Sequence, residues 1–121
     1  QTIPSCMLEY MKNNETLMNH KTIYSVLYCD EYETDYCDYA NEILSLYCKK
    51  TYAQYNGSLK IGAYFLLNHI PYTWCVANTL KSFASDIRKT KESALEITFF
   101  SKNKFIKEGN KFWEKANKSK K

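Results

Sequence analysis

The residues best equipped for chemistry are five cysteines, two histidines and a dense run of acids and tyrosines. Cys6, Cys29, Cys37, Cys48 and Cys75 form no Cys-x-x-Cys pair, and His20 and His69 are not spaced as companion zinc ligands. That pattern speaks against a metal site. A nucleophile–base pair or a two-histidine acid–base site is the enzymatic alternative. Yet His20 stands between Asn19 and Lys21, and His69 precedes Pro71, where it can simply terminate a helix. No Gly-rich phosphate loop, Gly-x-Ser-x-Gly elbow, His-Glu-x-x-His or calcium loop occurs. The expectation is a chain that is not an enzyme and carries no catalytic residue, cofactor or metal.

Binding chemistry is better represented. The string Asp30-Glu31-Tyr32-Glu33-Thr34-Asp35-Tyr36-Cys37-Asp38-Tyr39 sets tyrosines among acids. Tyrosine offers apolar area together with a hydroxyl, which suits it to protein contacts. Tyr32, Tyr36 and Tyr39 are therefore one candidate partner-binding face, and tyrosines in such a setting are open to sulfation in a secreted chain. The plainer reading is a helix start whose acids favour the dipole. A second candidate face, of opposite sign, is a basic C-terminal helix carrying Lys107 and Lys111.

The net charge of +4 conceals that opposition. Residues 1–80 hold five lysines and eight acids, whereas residues 81–121 hold eleven lysines and Arg88 against five acids. Arg88 is the only arginine. Since arginine supplies the planar fork used for phosphate and base recognition, nucleic acid is not an expected partner.

Three acceptor sequons begin at Asn14, Asn56 and Asn117. With five cysteines in a small chain, they point to a secreted, extracellular protein. A first residue of Gln1 rather than Met is consistent with a removed leader.

The elements that must position these residues read as helices. Cys6, Met7, Tyr10 and Met11 recur at helical steps, and a second helix is expected from about Thr16 to Cys29. Thr22, Ile23 and Val26 are β-branched and fit that second helix least well. The clearest stripe is Cys37, Ala40, Leu44, Tyr47, Cys48, Thr51 and Tyr55, predicting a helix over about 34–55 that Asn56-Gly57 stops. The apolar run Leu59–Leu80 reads as a buried helical hairpin bent at His69-Ile70-Pro71, its second arm reaching Arg88. A last amphipathic helix is expected from about Ser93, with Leu95, Phe99, Ile106 and Trp113 in line. Residues 118–121 read as a disordered tail.

The 121 residues thus predict a single all-α domain, a disulfide-stabilised compact bundle of five or six helices. Helix rise suggests the crosslinks. Cys37 and Cys48 are about 16 Å apart along one helix, too far to pair. Cys48 and Cys75 arrive at matching heights on neighbouring helices. Cys6, Cys29 and Cys37 all gather at the opposite end, Cys6 and Cys37 on apolar stripes and Cys29 at a helix terminus. Cys6–Cys37 and Cys48–Cys75 are the expected bonds, with Cys29 left over.

In length, helix count, cysteine use and Lys/Asn/Tyr bias, the chain resembles the small basic helical salivary proteins of blood-feeding insects. That class includes odorant-binding-like proteins and inhibitors of host complement or clotting. The resemblance implies a secreted effector or inhibitor that binds a host extracellular protein. The alternative it implies is a carrier of a small hydrophobic ligand, expected in a cavity near Phe65, Trp74 and Phe83. A membrane-active helix is a third reading. Because Pro71 and polar residues break the apolar run, a monomer without stable membrane insertion is expected.

Overall fold

The computed structural model describes residues 3–119, of which Ser119 is described only through its backbone. Residues 120 and 121 of the expected tail lie outside the described residues, whereas Lys118 and Ser119 are helical. The chain is mixed α/β, which overturns the all-α expectation. Helix α1 (Ser5–Asn13) is followed by strand β1 (Thr22–Tyr28), helix α2 (Asp38–Lys50) and strand β2 (Gln54–Ile61). Helix α3 (Ile70–Arg88), strand β3 (Ser93–Ile97) and helix α4 (Lys102–Ser119) complete it. The strands form one parallel sheet in the order β1-β2-β3. Parallel neighbours need long crossovers, and α2 and α3 supply them.

Each replaced helix has a local reason. Thr22, Ile23 and Val26 are the β-branched residues that fitted a helix poorly, and they lie in β1. Leu59–Ile61 opens the apolar run but belongs to β2, the central strand, with both Ser58 and Leu59 buried. A run that is apolar on every side of a helix is equally a strand covered on both faces. Ser93–Ile97 pairs with β2 instead of starting the last helix. Pro71 sits in the first turn of α3, so it starts a helix rather than bending a hairpin.

The two faces of the sheet differ. Leu59 and Ile61 join Tyr72, Val76 and Phe83 of α3 and Phe99 in the main core. Ser58 and Lys60 alternate to the other face, where Lys60 reaches Asp38 of α2 at 2.7 Å. Asn56 is the extra residue of a bulge opposite Ile23 and Tyr24. The next residue, Gly57, has φ of 144° and runs so close to β3 that a Cβ would lie 1.7 Å from the Ser93 carbonyl oxygen. Only glycine fits there.

This architecture removes the expected crosslinks. All five cysteines are free, with no pair at bonding distance. The matched heights of Cys48 and Cys75 assumed a descending helix after Gly57, and that segment is a strand. Cys6 is exposed on α1, whereas Cys37 is completely buried. Among the described residues no helix is long and apolar enough to cross a membrane.

Candidate functional site

The carboxyl ends of parallel strands point one way, and the loops that leave them gather on one rim. After β1 come Cys29–Cys37, after β2 comes Gly62–Leu66, and after β3 comes Phe99–Ser101. Backbone hydrogen bonds stitch these loops together. The Cys29 amide donates to the Ile61 carbonyl at 2.9 Å, and the Gly62 amide to the Ile97 carbonyl at 2.9 Å. The Ala63 amide then donates to Glu31 at 2.8 Å and the Tyr64 amide to Cys29 at 2.9 Å. Gly62 permits this approach, since a Cβ would stand 2.8 Å from the Tyr32 carbonyl oxygen.

Side chains anchor the acidic loop from beneath. Buried Thr34 donates its hydroxyl to Glu96 of β3 at 2.9 Å. The Cys29 thiol donates to the Glu33 carbonyl at 3.4 Å, and the Cys37 side chain neighbours it. Burial, followed by neighbouring Cys37, pushes the Cys29 thiol up to about 12. Burial also pushes the Cys37 thiol up, so the folded chain favours the protonated form of both sulfurs.

Helix α4 closes the rim. Gly109 is buried and brings the helix close to Phe65, whose ring would lie 3.5 Å from a Cβ at that position. Phe65 is the hub: its ring centroid is 5.8 Å from Phe105, 5.2 Å from Phe112 and 6.0 Å from stacked Trp113. Phe105 also meets Tyr32 at 5.7 Å. Between loop and helix opens a cleft of about 540 Å³. Asp30, Glu31, Tyr32, Glu33 and Tyr36 form one wall, and Lys102, Phe105, Ile106, Asn110 and Trp113 the other. None of the three carboxylates has an ion-pair partner among the described residues.

The expected partner-binding residues divide. Tyr32 and Tyr36 line this cleft, whereas Tyr39 is 64% exposed on α2 outside it. Lys107 and Lys111 occupy the face of α4 turned away from Gly109; Lys111 pairs with Glu108 at 3.6 Å. The two faces imagined as separate therefore flank a single helix. The aromatic wall that Phe105 and Trp113 of α4 build around Phe65 was missed, because a stripe of such residues at helical spacing reads as core. Their signal was the three-four spacing of α4, without the knowledge that only one flank of that helix is covered.

A second cavity, of about 680 Å³, runs along the edge strand β1. Ile3, Pro4 and Met7, Ile23 to Tyr28, and Ala40 and Leu44 line it. Of the residues expected around a ligand cavity, Phe65 lines the cleft, whereas Phe83 is buried at 3% and Trp74 is 66% exposed.

The sequons also differ in setting. Asn56 is buried, with its amide nitrogen on Tyr24 Oη at 3.2 Å and the Thr90 carbonyl at 3.4 Å. A glycan on that nitrogen and this fold exclude each other. Asn14 is half-buried, its amide donating to Tyr10 at 2.8 Å, and Asn117 is exposed on α4. No family model matches the chain, and neither a curated protein nor a solved structure is similar to it.

Proposed function

We propose that this chain is a secreted, non-enzymatic effector or inhibitor that binds an extracellular protein through the acidic-aromatic cleft. The observation that carries the reading is the union of Asp30, Glu31 and Glu33 with Tyr32, Tyr36 and Trp113 in one open cavity. Aromatic anchors beside unpaired charge are the composition of interface hot spots, in which Trp and Tyr contribute most of the binding energy. The stitched loops hold these groups in place before a partner arrives, which lowers the ordering cost of association.

The test is capture from plasma by the immobilised parent and by the Tyr32→Ala/Tyr36→Ala variant, with partners identified by mass spectrometry. A partner retained by the parent and lost by the variant, at unchanged thermal stability, supports the reading. Equal capture by both overturns it.

The groove along β1 favours a second reading, a carrier of a small hydrophobic ligand. Its volume of about 680 Å³ lies within the range of small-molecule sites. Mass spectrometry of small molecules released from the purified protein tests it, and recovery of none counts against it.

A further inference from the structure

We infer that the cleft takes a basic, arginine-bearing extended segment of its protein partner, an inference that rests on the protein-binding reading above. Three properties of the cleft select this chemistry. The first is charge: Asp30, Glu31 and Glu33 face the cavity with Lys102 as the only basic residue in its lining. This local excess of negative charge occurs on a chain whose net charge is +4. The lysines of α4 at 104, 107, 111 and 115 lie outside the lining, so a cationic segment is repelled there and directed here.

The second property is the exposed aromatic surface. Trp113 is 57% exposed while its ring stacks on Phe65 at 6.0 Å. A guanidinium group is planar, weakly hydrated and favoured over aromatic faces, and its N–H fork matches a carboxylate. Trp113 and the acidic loop line the same cavity, so an extended segment can meet both kinds of group along its length.

The third property is length, which separates a peptide from a small amine. The α4 wall runs from Lys102 to Trp113, about 16 Å at 1.5 Å per residue. That matches about five residues of extended chain, whereas a lone ammonium or guanidinium compound would fill only a fraction of it.

The experiment titrates pentaarginine peptide into the Trp74→Phe protein, leaving Trp113 as the sole indole, with calorimetry in parallel. Saturable change in Trp113 fluorescence is expected, with no response to pentaglutamate. Glu31→Gln/Glu33→Gln should weaken binding by about tenfold or more, as should Trp113→Leu. Lys107→Glu/Lys111→Glu should leave the site affinity within about threefold, because those lysines lie on the far face. Circular dichroism identifies any variant that has lost its fold, and the carboxamide pair preserves shape if Trp113→Leu does not. Three results would overturn the proposal: no saturable response, equal binding by the carboxamide variant, or argininamide binding as tightly as the pentapeptide. If plasma capture depends on Tyr32 and Tyr36 but pentaarginine fails to bind, the cationic chemistry is wrong and the protein-binding reading stands. If pentaarginine binds as expected while capture ignores the tyrosine variant, the partner does not use the cleft and the inference falls with that reading.

Discussion

The cleft beside α4 and the groove along β1 are of similar size and opposite character. The cleft, about 540 Å³, is rimmed by carboxylates and aromatic rings on loops that leave the strands' carboxyl ends. The groove, about 680 Å³, is lined mainly by apolar residues of the edge strand, of α2, and of α1 with the two residues Ile3 and Pro4 before it. Backbone hydrogen bonds between neighbouring loops fix the cleft. Around the groove, α1 buries Met11 and accepts a hydrogen bond from the Tyr47 hydroxyl at its Met11 carbonyl, 2.5 Å long. One small sheet thus supports a pre-shaped charged site and a softer apolar one, and substitutions should separate them.

The largest effect is expected where both sites depend on the sheet. Gly57→Ala puts a methyl against the Ser93 carbonyl at a φ that L residues avoid. It should cost about 3 kcal/mol or more and abolish both cavities. Urea unfolding checks this; a loss below about 1 kcal/mol would mean that β2 and β3 do not approach as described.

Gly62→Ala should break the symmetry between the two sites. Its methyl would press on the Tyr32 carbonyl, costing about 1–3 kcal/mol and displacing the acidic loop. Pentaarginine binding should weaken, while uptake of an apolar fluorescent dye at β1 should persist. Equal loss at both sites would show that they are not independent.

The pH dependence sharpens the difference further, because the thiols lie under the cleft. Cys29 has an ordinary value of 9.0 and is held at about 12 in the folded chain. The unfolded chain therefore loses this proton first, and stability decreases as pH rises from about 9 to 12. Below about 9 the protonated thiol's contribution is fully present. Cys29→Ser should flatten part of the alkaline fall in the urea midpoint.

Two surface changes should be smallest in stability and most selective in function. Val26→Asp alters a side chain that is 49% exposed on β1, the strand that lines the groove. It should cost at most about 1 kcal/mol while abolishing dye uptake and sparing pentaarginine binding. Tyr39→Ala should change stability by no more than about 0.5 kcal/mol and leave cleft binding intact, as Tyr39 lies outside the lining.

The acidic-tyrosine string and α4's amphipathic pattern were legible in the sequence, as were the end of α3 near Arg88 and the helical spacing of Cys6, Met7, Tyr10 and Met11 in α1. What was not legible was the sheet. Leu59-Lys60-Ile61 is too short to declare its period, and the apolar residues after it satisfy helix and strand alike. Ser93-Ala94-Leu95-Glu96 imitates a capping box but is a strand, because β2 offers it a pairing edge that no local rule contains. Reading β2 as a helix also produced the Cys48–Cys75 assignment, since both heights were measured along helices. The cleft shares this origin: its two walls, at residues 30–36 and 102–113, meet only because three parallel strands end on one rim.

Hydrogen exchange of the protein free and bound to its captured partner tests the central claim most directly. Binding through the cleft predicts slowed exchange in peptides covering residues 29–36 and 102–113, with residues 23–28 of β1 unchanged. Protection confined to residues 3–7 and 23–28 would place the partner on the groove and contradict the account.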